Sequence, residues 1–363
     1  MPAPGEQSTN DPAEPPLVCM YLFLDADGGT LPPHPSPRTA SPLRYLECAL
    51  VQAASLQRAG AGCRTVLLTN VGGGPGRAWR RMWGELGELG VEVREVALRI
   101  EPGTAAAETR LALAAIRAAA GGLAGSREMW IPNLDCVWVD PARALRACPQ
   151  SGRIGALAIP YPPDWAVGGP EAVGSTRLEL GRTASALGAR AESAPPWIGA
   201  DLLAGTTASL LALAAACEEL DGQLAGGGAT ATTEQLLTLC AALGRVEVED
   251  LSSLARRIQT GARHSAGAPA DAAALAIWHL PAEKGLSLRR AARAPARGRT
   301  GPLHADLALP ARAMRRFNVG GARRAHQLRD DAWVAWGRLA SARRTRPAVT
   351  LPASDPAVEG RIE

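Results

Sequence analysis

Lysine is all but missing from this 363-residue chain: of 39 basic residues one is Lys, Lys284, and 38 are Arg. Where surface cations have drifted to arginine, a retained lysine marks a place that uses a compact, rotatable ammonium rather than a planar fork. Aromatics are scarce too, at 4% of residues, which leaves little stacking surface for nucleic acid. No apolar run, 210–216 being among the longest, approaches the roughly 20 residues that span a bilayer. Residues 1–16 are polar and Pro-rich, without the basic start and apolar core of a signal peptide, so a cytoplasmic location is expected. No CxxC pair occurs among the seven cysteines at 19, 48, 63, 136, 148, 217 and 240. Their odd number and wide spacing exclude a zinc ribbon and a disulfide framework, and most are expected to be buried, reduced thiols.

What is present describes a large globular chain. Hydrophobic residues make up 47%, enough for a sizeable core. The net charge of +4 conceals an asymmetry, because 285–346 holds 15 Arg against three acids, a local balance of +12. Such a segment suits an anionic membrane surface, a phosphorylated substrate or a solvated helical face; nucleic acid is not expected, since no nucleic-acid module accompanies it.

Hydrophobic patterning predicts buried strands at 17–25 (LVCMYLFLD), 65–69, 91–96, 129–134 and 154–159. Helical spacing falls between them, at 45–59, 79–89 and 104–120, with Pro141 opening a further helix. Residues 197–206 read as a compact, Gly-bounded segment, Thr232 as the cap of a helix, and 272–278 as the last strand. Alternating strands and helices predict an α/β fold, a Rossmann-like, mainly parallel sheet flanked by helices, with a basic helical C-terminal extension. The expected boundaries are a tail at 1–16, a main domain at 17–290, an Arg-rich extension at 291–346 and a flexible tail at 347–363. Parallel sheets bind ligands beyond the carboxyl ends of their strands. Three polar features fall there: Asp25 with Asp27, Asn70 with the loop 72–76, and Asn133 with Asp135. The loop lacks the G-x-G-x-x-G spacing of a dinucleotide site and the Lys of a P-loop.

Asn133-Leu134-Asp135 sets two oxygen-bearing side chains two residues apart, on one face of an extended segment, as ligands of Mg²⁺ or Mn²⁺ would be. His279 and Lys284 share a turn built by Pro281 and Gly285, a candidate metal ligand beside a cation for a diphosphate.

The order of these features resembles the GT-A class of nucleotide-sugar-dependent glycosyltransferases. The segment from Trp130 to Pro141 is similar to that family's Asp-x-Asp region, Trp197 to Thr206 to its acceptor side, and Trp278 through Lys284 to its late His and Lys element. The likeness covers 17–290. It implies an enzyme that transfers a sugar from a nucleoside-diphosphate sugar to an acceptor. Asn133, Asp135 and His279 would hold a divalent cation, Mn²⁺ or Mg²⁺. Asp25, Asn70, Asp135 and Lys284 would bind the donor, and Asp201 and Glu234 would face the acceptor. The chain departs from the pattern in one respect: whichever way Asp135 is aligned, the second carboxylate is replaced, by Val137 or by Asn133. Two alternatives stay open: a non-catalytic binding protein that docks an anionic partner through its basic region, and a sugar nucleotidyltransferase, although the glycines after Asp25 are in acidic rather than basic company.

Overall fold

A computed structural model describes residues 14–24, 42–58, 60, 62–71, 76–98, 105–166, 173–190, 194–258, 260, 271–284 and 286–319. All belong to one compact unit, 1–322; a second unit, 323–363, lies outside the described residues. So do Asp25, Asp27, the loop 72–75, Thr104 and all of the Arg-rich segment beyond 319.

The first half alternates as its patterning predicts: β1 (Leu17–Leu22), α1 (Pro42–Gln57), β2 (Arg64–Thr69), α2 (Arg77–Glu88), β3 (Val91–Glu95), α3 (Ala105–Ala120) and β4 (Glu128–Pro132). Then come β5 (Cys136–Trp138), α4 (Pro141–Leu145), β6 (Arg153–Ile159), α5 (Arg177–Ala186), β7 (Trp197–Thr206), α6 (Thr207–Gly226) and α7 (Thr233–Ala242). Short elements complete the described chain: β8 (Glu247–Asp250), β9 (Ala255–Arg257), β10 (Ile277–His279), α8 (Ser287–Ala291), α9 (Gly301–Leu307) and α10 (Pro310–Arg316).

Seven strands form one sheet in the order β3-β2-β1-β4-β7-β6-β8. Neighbours are parallel except on either side of β7, which runs against both β4 and β6. The protein is therefore α/β with a mixed, mostly parallel sheet. Side chains alternate across it: Val66 and Leu68 pack with Ile116 and Leu210 on one face, Leu67 with Leu50 and Trp79 on the other. Leu288, Leu303 and Phe317, from the start of the basic stretch, pack into the same core as Leu46 and Leu50 of α1.

Two expectations change. The segment 197–206 is a ten-residue central strand. At 272–278 the chain first makes a 3-10 turn, Ala272–Ala274, and only Ile277–His279 is strand. Alanine has no preference for the extended state, and the Asp271 carbonyl accepts the Ala274 N–H at 2.8 Å, closing the turn instead.

The strand order reverses between β1 and β4: β2 and β3 add on one side of β1, β4 on the other. Such a switch point opens a crevice beyond the carboxyl ends of the two strands. A smaller sheet, β5-β10-β9, stands beside it.

Candidate functional site

Main-chain geometry places the site residues. Leaving β4, Asn133 donates its N–H to the Asp201 carbonyl at 2.8 Å and accepts from Cys136 N at 3.1 Å, so the chain turns directly into β5. Leu280 N then binds the Asp135 carbonyl at 3.0 Å. In the small sheet His279 stands opposite Cys136 on one side and Arg257 on the other. Directly paired residues point to the same face, so His279 and Arg257 project together. On β7 the pairing with β6 slips: Gly155 faces Ala204 but Leu157 faces Gly199, so four β7 residues, Asp201 among them, bulge past one of β6. α7 is fixed by a capping box in which the Thr232 hydroxyl accepts from Gln235 N at 3.3 Å and the Gln235 amide oxygen from Thr232 N at 2.7 Å. That start presents Glu234 to the β7 strand, where Trp197 Nε1 donates to Glu234 Oε2 at 2.8 Å.

The six ionisable side chains form a line of alternating charge. Lys284 Nζ lies 3.1 Å from Asp135 Oδ2, and Asp135 Oδ1 lies 3.1 Å from His279 Nε2. His279 Nδ1 lies 3.2 Å from Asp201 Oδ2. Arg257 grips both Asp201 oxygens at 2.7 Å, bonds Glu234 Oε1, and donates to the Tyr161 hydroxyl at 2.9 Å. Asn133 spans the crevice: its Oδ1 accepts from the Tyr21 hydroxyl at 3.3 Å and its Nδ2 donates to Asp201 Oδ1 at 3.4 Å. Lys284 Nζ also sits 5.4 Å from the centre of the Tyr45 ring on α1. Asp135 is 1% exposed, whereas the Glu234 side chain is 21% exposed, so the line runs from the interior toward solvent.

Burial opposes ionisation throughout, and the partners outweigh it. Desolvation pushes Asp135 upward, but His279 and Lys284 hold its carboxyl well below the usual range. Asp201 is held low in the same way by His279 and Arg257. Burial lowers His279, yet Asp135 and Asp201 together raise it to about 9, so the ring is an imidazolium at neutral pH. Burial likewise disfavours the charged Lys284 and Arg257, and their carboxylates raise both above their ordinary values. The thiols of Cys48 and Cys136 are pushed up by burial and then by Asp135, so neither supplies a thiolate here. All seven cysteines are free, five of them buried.

The residues expected to hold a divalent cation stand together. Both His279 nitrogens face carboxylate oxygens, both Asp135 oxygens face cations, and Asn133 Oδ1 accepts from Tyr21. Yet Asp135 Oδ2 and His279 Nδ1, both buried, make no hydrogen bond in this arrangement, so an oxygen and a nitrogen of the kinds that ligate a divalent cation are left unsatisfied there. Among the described residues no group of three His, Cys, Asp or Glu is placed to hold a metal.

Of the residues singled out from sequence, Asn133, Asp135, Asp201, Glu234, His279 and Lys284 converge. Asn70 stands apart at the end of β2. Its amide accepts from Leu24 N at 2.9 Å and donates to the carbonyls of Leu24 at 2.7 Å and Leu98 at 3.1 Å, tying together the exits of β1 and β3. Asp25 lies outside the described residues. Sequence reasoning missed Arg257, the hub of the outer half, and Tyr161. With 38 arginines in the chain, one more carries no signal.

No known family matches the chain, and no curated protein matches it. Among solved structures it is similar to galactosyltransferase LgtC in complex with donor and acceptor sugar analogues, at 12% identity over 73% of this chain and 87% of that one, with a TM-score of 0.43. Among the described residues no helix is long and apolar enough to cross a membrane.

Proposed function

We propose that this chain is a glycosyltransferase-like enzyme that binds a nucleoside-diphosphate sugar in the crevice between β1 and β4 and passes the sugar to an acceptor. One observation carries the reading: six ionisable groups, four of them buried, converge at the topological switch point, and their charge is polarised. The inner half, Lys284, Asp135 and His279, sets two cations against one carboxylate; the outer half, Asp201, Arg257 and Glu234, sets two carboxylates against one cation. Burying charges costs more than filling the same space with apolar side chains, and such clusters in a crevice point to a working site.

The polarity orders the chemistry. In transfer the bond from the sugar's anomeric carbon to the diphosphate oxygen breaks, and a bond to the acceptor oxygen forms. Negative charge grows on the leaving diphosphate, where the Lys284 ammonium meets it with positive charge. The acceptor hydroxyl loses its proton, and Glu234, the most exposed carboxylate of the line, takes it. Asp201, gripped by Arg257, holds the acceptor side in place. Asn70 shapes the nucleotide side through Leu24, and Asp25, in the adjoining segment, would contact the donor.

Calorimetric titration with UDP- and GDP-sugars tests this reading. A saturable heat that is lost in Lys284→Gln supports it; no heat with any nucleotide sugar refutes it. The second reading, a binding protein without catalysis, draws on the internal partnering of every charge in the line. Glu234→Gln separates the two: an enzyme keeps donor binding and loses transfer, while a binding module has no transfer to lose.

A further inference from the structure

A cavity of about 380 Å³ lies at the other end of the small sheet from the charged line. β5 and β10 run antiparallel, with His279 opposite Cys136 at the end nearer the line and Ile277 opposite Trp138 at the far end. Residues 139–143, residues 273–275 and the junction of α9 with α10 wall the cavity. Two arginines from separate elements line it, Arg58 just after α1 and Arg143 on α4. Each is pinned to the wall by one nitrogen: Arg58 Nη1 donates to the Val139 carbonyl at 2.9 Å, and Arg143 Nη1 to the Ala274 carbonyl at 2.6 Å. A carbonyl fixes a guanidinium without neutralising it, and among the described residues neither arginine forms a salt bridge. With Nη1 taken, the edge left on each is Nε with Nη2, two parallel N–H groups that match two oxygens of one anion. Burial pushes the Arg58 guanidinium down from its ordinary value, and the Asp140 carboxylate offsets this only in part. Asp140 is the carboxylate of the lining, and its Oδ1 accepts the Arg143 N–H at 3.1 Å. Two guanidiniums against one carboxylate leave the cavity a net charge of +1. Leu275, Leu307 and Pro310 give it an apolar wall.

We propose that this cavity binds a small phosphate monoester, its phosphate between Arg58 and Arg143 and its carbon body against Leu275, Leu307 and Pro310. The size fits, since small-molecule sites run from roughly 300 to 1,000 Å³ and this one stands near the lower bound. Phosphate suits the two arginines better than carboxylate does. Its three terminal oxygens can meet two guanidinium edges presented from different walls, whereas the two oxygens of a carboxylate are filled by one edge. Asp140 Oδ2, which accepts no bond among the described residues, is an acceptor for a hydroxyl on the ligand's body. The site is separate from the crevice between β1 and β4, and it does not depend on the nucleotide-sugar reading.

The test uses the full chain in chloride at constant ionic strength. Inorganic phosphate and glycerol 3-phosphate are titrated calorimetrically, with acetate as the carboxylate for comparison. The expected result is one saturable site for both phosphates, tighter for the ester, with acetate weaker by about tenfold or more. Arg58→Gln and Arg143→Gln should each weaken the ester by about tenfold or more. Arg58→Lys keeps the charge and loses the paired edge, so it should weaken the ester as well. Urea unfolding with an unchanged m-value shows that each variant is folded. Lys284→Gln, in the crevice, should keep ester affinity within about twofold. Four results would overturn the proposal: no saturable binding of either phosphate, binding indifferent to the arginine substitutions, acetate bound as tightly as phosphate, or loss of the ester in Lys284→Gln, which would move the anion to the crevice.

Discussion

Removing the Lys284 ammonium tests whether the inner half of the line is a coupled unit. Lys284→Met keeps the length and apolar body of the side chain and deletes the charge 3.1 Å from Asp135 Oδ2. Breaking a buried pair from one side costs about 3–5 kcal/mol, because the remaining charge is stranded. Here His279 still meets the other Asp135 oxygen at 3.1 Å, so the loss belongs near the lower end, about 3 kcal/mol. Asp135→Asn strands Lys284 and His279 from the opposite side, with a loss of about the same size. In the double variant neither charge is left facing an empty partner. Its loss should fall about 2 kcal/mol short of the sum of the singles. The assay is equilibrium urea unfolding at neutral pH, with equal m-values as the check that all four proteins unfold from the same compact state. Added salt should change the coupling little, since screening acts weakly on buried pairs. A coupling below about 0.5 kcal/mol, the level at which independent sites simply add, would refute the reasoning.

The other expectations address the rest of the line. His279 is raised from its ordinary value to about 9, so its contribution to stability is full below about pH 6.5 and is lost as pH rises through 9. The span amounts to about 3 kcal/mol between pH 6 and 9.5, and His279→Gln should flatten that limb of a stability-versus-pH curve measured by urea unfolding. Asp135 and Asp201, held low, act in the opposite sense, and their stabilisation falls away only in strong acid, below the normal carboxylate range. Arg257→Lys, which cannot reproduce the two-pronged grip on Asp201 while also bonding Glu234, should cost about 2 kcal/mol in urea unfolding. Asn133→Asp places a carboxylate 3.4 Å from Asp201 and should cost about 1–3 kcal/mol in the same assay; a neutral effect would show that the amide contact is dispensable. Glu234→Gln should lower transfer by about a hundredfold or more with donor affinity unchanged, read by single-turnover product formation beside calorimetry.

β1 and β2 were legible from sequence because they are largely buried and read as continuous apolar runs, LVCMYL and TVLLT. The small sheet was not. β5, β9 and β10 have three residues each, shorter than any periodicity can register. β7 was half seen, because its glycines read as the bounds of a compact segment, although Gly199 stands where a Cβ would come within 2.7 Å of Ile159. Within the site, Lys284 stood out because the chain otherwise avoids lysine, and Asp135 because it follows a strand. What sequence could not supply was the pairing. It offered Asp135 and His279 as ligands of a shared ion, whereas the structure sets them directly against each other, with Arg257 tying Asp201 to Glu234.

The central claim is tested most directly by a crystal structure of the full chain grown with UDP or GDP in the presence of EDTA. The account predicts the diphosphate beyond the carboxyl ends of β1 and β4, with an oxygen within hydrogen-bonding reach of Lys284 Nζ. A nucleotide seated away from that crevice, or none bound, would contradict it.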